Sequence, residues 1–242
     1  MDNWNQLDEF QNYSGAPGYV QPAAPKPQKP GQMYPNTAYC IDKIYFSMKV
    51  MLIATLCTLI IVFLGAIGTD VGGGLALILI GSFAIVIAAI VAFVNEMLGL
   101  NRGKEEFDGY KFAFWLIIIA FIGNLVSSYL IKNDIVGDCF DLLSAAASLL
   151  MLTTSIKACQ LVKRDDVAKI GNKALIMWVV AYALSFVLGL VSHILENTPV
   201  YKRSSAVLTA AVALAIAAAV LAILQYVFLY RFFKQAADVF DE

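Results

Sequence analysis

Histidine occurs once in this chain, at position 193, and charged side chains make up only 14% of the 242 residues. One imidazole, far from any aligned nucleophile, excludes most hydrolytic constellations. The four cysteines, at 40, 57, 139 and 159, show no metal-ligand spacing. Neither a metal centre nor a disulfide framework is expected from them. HExxH, GxSxG and a P-loop are all absent, and "GTDVGGG" at 68–74 has no following GK[ST]. No cofactor and no catalytic activity are therefore expected. Charge this sparse also lies outside the soluble range of roughly one quarter charged residues. The near-neutral balance, a net charge of -1, gives no footprint for nucleic acid.

Apolar residues fill the space, at 60% of the chain with a mean hydropathy of +0.73. About 20 of them in helical conformation cross a hydrocarbon core of roughly 30 Å. Six runs qualify, at 47–68, 75–98, 112–131, 135–157, 174–195 and 205–230. Runs such as "LIIIAF" do not alternate, which argues against a barrel, and backbone groups in lipid must be satisfied internally. The fold class expected is all-α, a polytopic integral membrane protein with six transmembrane helices. With the N-terminus inside, 14 of the 17 lysines and arginines fall on the inner side. Only Lys132, Lys202 and Arg203 fall outside, a bias that sets both termini in the cytoplasm. A cytoplasmic (inner or plasma) membrane location follows, and the polar first 46 residues argue against a cleaved signal peptide.

Three regions are expected: a cytoplasmic leader at 1–44, a six-helix domain at 45–234 and a short C-terminal tail at 235–242. The leader holds six of the seven prolines, interleaved with Gln, Tyr and Gly. That composition cannot bury enough apolar area to offset chain ordering, so disorder is expected. Its Pro22/Pro25 and Pro27/Pro30 pairs have the PxxP spacing of docking segments. "YCIDKIYFS" at 39–47 reads as an interfacial anchor of aromatics and lysine. Within the membrane domain, Lys49, Lys111 and Lys173 recur at intervals of 62 residues. Gly65, Ser127 and Gly189 follow the same interval, suggesting three helical hairpins related by a 62-residue repeat.

Small residues four apart mark the even spans: Ala84, Ala88 and Ala92; Ser144 and Ser148; Ala211, Ala215 and Ala219. Such faces permit close helix approach, so the even helices are expected inside. The odd spans carry Phe112, Phe114, Trp115, Met177 and Trp178 near their inner ends, as in an aromatic belt facing lipid.

Polar residues inside spans are the candidate sites, since an intramembrane charge is expensive. Asp138 and Asp141 lie on one helix face near the outer interface, where the helix dipole favours carboxylates. His193 and Glu196 end the fifth span on the same side and offer partners for a cation or proton. Asn124, near the middle of the third span, is expected to hydrogen-bond to a neighbouring helix or contact a substrate. Glu96 and Lys157 fall near each other by repeat position, as an interfacial ion pair. Gln225 and Ser185 are weaker candidates. The leading expectation is a non-enzymatic interaction or accessory protein, in contact with the lipid bilayer and with a protein partner through its leader. The alternative is a small-solute permease or channel-like transporter.

Overall fold

A computed structural model describes residues 29–67, 71–127, 134–196 and 205–241. Every element among them is a helix: α1 (Pro30–Met33), α2 (Pro35–Ile67), α3 (Val71–Gly103), α4 (Asp108–Val126), α5 (Asp134–Leu161), α6 (Asp165–Glu196) and α7 (Ser205–Asp241). Five of them hold stretches long and apolar enough to cross a membrane: Gly81–Gly103, Asp108–Val126, Val136–Leu161, Asp165–Val191 and Ile216–Asp241. This is an α-helical membrane protein. The first expected span, 47–68, falls on α2, whose side chains from 62 onward lie outside the described residues. Residues 1–28, with the Pro22/Pro25 pair and Pro27, lie outside them too, while Pro30 opens α1.

The long helices pair as hairpins, α2 with α3, α4 with α5 and α6 with α7. Packing of α7 on α2, α5 on α6 and, least extensively, α3 on α4 closes the hairpins into a ring. Along the 62-residue register, Lys49, Lys111 and Lys173 are all exposed, but the positions sixteen residues on differ. Ser127 is buried, whereas a Cβ built on Gly189 meets nothing within 4 Å.

The ring is tightest at the end where the α3–α4 and α5–α6 connections lie, here termed the base. At 33 residues, α2 and α3 are each about 50 Å long, well beyond a hydrocarbon core. Their surplus turns build this base. Ile41, Ile44, Leu100, Tyr110, Phe232 and Phe233 are fully buried there, contributed by four helices, α2, α3, α4 and α7. Residues 39–47, expected as an interfacial anchor, supply part of this core while Lys43 and Arg102 lie against the Tyr39 ring at 5.3 and 5.0 Å.

Two glycines admit α2 to α3. A Cβ on Gly103 would sit 2.9 Å from Cβ and Sγ of Cys40 and from Cδ2 of Tyr110. On Gly99 it would lie 3.0 Å from the Cys40 carbonyl oxygen. Small-xxx-small spacing lets backbones approach in this way. The start of α2 is held from the α3–α4 connection, where Glu106 accepts hydrogen bonds from the backbone N–H of Asn36 and Thr37 at 2.9 and 2.8 Å. A carboxylate there satisfies orphan donors and complements the helix dipole.

The α5–α6 turn ends α5 with Arg164 N–H donating to Cys159 O and Lys163 N–H to Gln160 O, both at 2.9 Å. This is the Schellman pattern, and Lys163 occupies its left-handed position with φ of 60°. Glycine suits that position better than any L side chain. Lys163→Gly is therefore expected to stabilise the fold by about 1 kcal/mol, read as a rise of a few degrees in the unfolding temperature in detergent.

The even helices form a tight inside only in part: Ser144 and Ser148 of α5 and Ala92 of α3 face the central spaces as expected, whereas Ala84 and Ala88 of α3 do not. Ala84 and Ala88 line a groove against α2, their own hairpin partner, and Ala92 O accepts the Ser47 hydroxyl at 2.8 Å. The opposite face of α3 is strongly exposed, with Phe83 at 69% and Ile90 at 57%. Ala211 and Ala215 lie outside the described side chains, and Ala219 is exposed. Helix pairing in lipid is decided by the nearest hairpin partner, which took the small faces. Nor do the odd helices all face outward: Phe112 and Trp115 do, but Trp178 turns inward.

Cys40 and Cys159 are fully buried, while Cys57 and Cys139 are exposed. Burial, reinforced by the charges of Glu96 and Glu106, pushes the Cys40 thiol well above its usual range. Since the thiolate is the reactive form, Cys40 and Cys159 should resist a maleimide until the protein is unfolded. Mass spectrometry of labelled peptides reads this directly; modification of Cys40 in the native state would contradict the packing of the base.

Candidate functional site

Helix faces bring the site together. On α3, residues 89, 92, 93 and 96 share one face, at i, i+3, i+4 and i+7, opposite the exposed Val94 and Leu98. On α5 the same face carries 144, 148, 151 and 152, and on α4 it carries 117, 120, 121 and 124. These faces, with turns of α2, α6 and α7, border two adjoining, partly open spaces above the base.

The first is a cavity of about 250 Å³ lined by Met48, Met51, Ala89, Ala92, Phe93, Glu96, Ser148, Met151, Leu152, Trp178, Gln225, Tyr226 and Leu229. The second, about 230 Å³, is lined by Phe93, Glu96, Ile117, Ala120, Phe121, Asn124, Ser144 and Ser148. Phe93, Glu96 and Ser148 border both. Together the two touch all six long helices. Leu152 and Leu229 floor the first cavity, with the buried Tyr110–Ser155 hydroxyl pair at 2.9 Å and Phe232 and Phe233 among the core of the base.

Among the described residues Glu96 is the only charged one on either wall. Among the described residues no ion pair or hydrogen bond engages its carboxylate. The expected pairing with Lys157 does not form: Lys157 is exposed on the outer face of α5. Helical phase separates the two, because Glu96 lies on the cavity face of α3 and Lys157 lies off the cavity face of α5. An unpartnered carboxylate within a span is a functional candidate by default.

Asn124 does bond to a neighbouring helix. Its Nδ2 donates to Asp141 Oδ1 at 2.9 Å, joining α4 to α5 at the edge of the second cavity. Asp138 lies nearly one turn away on α5 and is exposed, as is Asp141. His193 belongs to the last turn of α6, with its side chain outside the described residues, as is that of Glu196. Among the described residues no group of three His, Cys, Asp or Glu is placed to hold a metal ion. The polar series thus runs from Asp141 through Asn124, Ser144 and Ser148 to Glu96, Gln225 and Tyr226. Along α5 it covers about 16 Å, from residue 141 to the floor at 152.

Comparison with protein-family models, curated proteins and solved structures gives no match. Function is accordingly argued from the site alone.

Trp178, Tyr226 and the three methionines went unread as site residues. The i, i+3, i+4, i+7 face through Glu96 on α3 was the signal that could have pointed inward. Chemically, the described residues of the two walls offer one carboxylate, the carboxamides of Gln225 and Asn124, hydroxyls and a phenol, and no positive charge. Such a site attracts cations and hydrogen-bonding solutes, and low dielectric strengthens the attraction.

Proposed function

We propose that this protein is a small-solute permease of the cytoplasmic membrane, with the central cavity as its solute site and Glu96 as the binding carboxylate. The observation that carries the reading is a pair of adjoining cavities within a helical ring, together bordered by all six long helices and sharing one unpaired carboxylate, Glu96. Transporter sites lie in such places, between helices at membrane depth. In this reading α2 is the sixth span and the base faces the cytoplasm, since Arg102, Lys104, Lys111, Lys163 and Arg164 surround the connections there. No covalent chemistry is assigned. The shut base makes this a conformation closed toward the cytoplasm, and the slight α3–α4 seam is where it would part.

Full-length protein in liposomes is expected to admit small polar solutes faster than empty vesicles do, read by light scattering during osmotic swelling. Swelling equal to empty vesicles for neutral, anionic and cationic solutes alike would refute the permease. A second reading, an accessory protein docking through its leader, is favoured by one contact. Gly31 packs against the Phe240 carbonyl, so the last part of the leader lies beside the C-terminal turn of α7 at the base. A pull-down in which removal of residues 1–28 eliminates a bound protein would support it; identical partners with and without the leader would end it.

A further inference from the structure

We infer that the central cavity takes a small monovalent organic cation, an alkylammonium compound. The inference rests on the permease reading for the cavity's being a solute site, and names the cargo from the walls. Charge comes first: among the described residues the walls hold one carboxylate, Glu96, and no cation, so the complementary ligand carries a single positive charge.

Size and wall chemistry then separate an organic cation from a bare ion. A volume of about 250 Å³ equals roughly eight water molecules at 30 Å³ each, too large to enclose one dehydrated ion. A metal ion also needs several oxygen, nitrogen or sulfur ligands converging on one point. The walls instead present the rings of Phe93, Trp178 and Tyr226 and the thioethers of Met48, Met51 and Met151. Aromatic faces attract a cation through the ring quadrupole, and quaternary ammonium groups, with diffuse charge and apolar methyls, suit them best. Methionine adds a polarisable, adaptable surface for those methyls.

The rings are braced. Trp178 stacks on Tyr182 with centroids 5.3 Å apart and planes at 5°, and Phe93 stacks on Phe121 at 5.0 Å. Each stack holds one ring in place beside the cavity, so little side-chain freedom is lost when a ligand enters. Gln225 and Ser148 supply hydrogen-bonding groups for a hydroxyl or other polar end of the same molecule.

The test is calorimetric titration of the full-length protein in nanodiscs, with choline as the cation and 3,3-dimethyl-1-butanol as its neutral isostere. Choline is expected to bind at least about tenfold more tightly than the alcohol, given the Coulomb and cation–π terms. Glu96→Gln should weaken choline by roughly tenfold or more, and Trp178→Leu by a similar factor, while Trp178→Phe keeps most of the affinity. Thermal unfolding of each variant shows that it is folded, and Trp178→Phe separates ring chemistry from packing. Equal binding of the isostere, choline binding indifferent to Glu96→Gln, or binding of cuprous ion by the methionines in place of choline would overturn the inference. Choline binding without choline flux upholds the inference and rejects the permease. Vesicle swelling with neutral solutes but no choline binding does the reverse.

Discussion

Gly103→Leu is expected to cost about 3 kcal/mol and to lower the apparent unfolding temperature in detergent by roughly 10 °C. Its built Cβ meets three heavy atoms at 2.9 Å, two of them Cβ and Sγ of Cys40. The Cys40 Cβ is fixed by the α2 backbone, so it cannot swing aside as the tip of a long side chain would. Relief requires α2 and α3 to separate at the base. Separation would loosen the hold of Glu106 on the Asn36 and Thr37 N–H groups and disturb Tyr110, whose hydroxyl pairs with Ser155 at 2.9 Å. Losing that buried pair adds about 1 kcal/mol. Gly189→Leu is the control, because nothing lies within 4 Å of its built Cβ. It should unfold within about a degree of the parent; equal damage from both substitutions would mean that the base does not hold the bundle together.

Glu96→Gln is expected to slow cation flux through the reconstituted protein by roughly ten- to a hundredfold, the cost of losing a charge-assisted contact of about 1.5–3 kcal/mol. The substitution keeps the size and removes the charge. With no partner among the described residues, the carboxylate leaves no stranded cation behind when it is replaced. The folded protein should therefore be unharmed or slightly steadier, since an intramembrane charge is itself costly. Lys157→Ala provides the contrast. Lys157 is exposed and away from the cavity, so flux should stay within about twofold of the parent if the mechanism depends on the cavity wall. Equal losses in both variants would restore an ion pair the structure does not contain.

Hydropathy made the helices legible, since run length against bilayer thickness is a strong physical constraint. It could not see the base. Apolar runs mark only the part of a helix inside lipid, so the second span is read as ending at 98, whereas α3 continues to Gly103. The Gly99–Gly103 pair therefore sat in what looked like a polar connection. Cys40, Ile41 and Ile44 were likewise obscured by the lysine and aspartate between them, although their spacing is helical.

Inward and outward faces were harder, because lipid and protein interior are equally apolar and periodicity loses its contrast. Trp178 looks like a belt residue by position and lines the cavity by phase. Glu96 was visible as an intramembrane acid, yet its surroundings depended on helix rotation, which only packing fixes. Asn124 was readable because a buried amide must find a partner; that the partner is Asp141 required the α4–α5 register.

The measurement that bears most directly on the account is thiol labelling of Gln225→Cys in a protein carrying Cys57→Ser and Cys139→Ser, with the buried Cys40 and Cys159 retained. Gln225 lines the cavity beside Glu96, and Val227, two residues on, is exposed on the bundle surface. A hydrated, cation-attracting cavity predicts that Gln225→Cys reacts with a cationic methanethiosulfonate roughly tenfold faster than with an anionic one. It also predicts that Val227→Cys, facing hydrocarbon, stays unmodified. No reaction at Gln225→Cys, or equal rates with both reagents, would contradict a solute site at the centre of the ring.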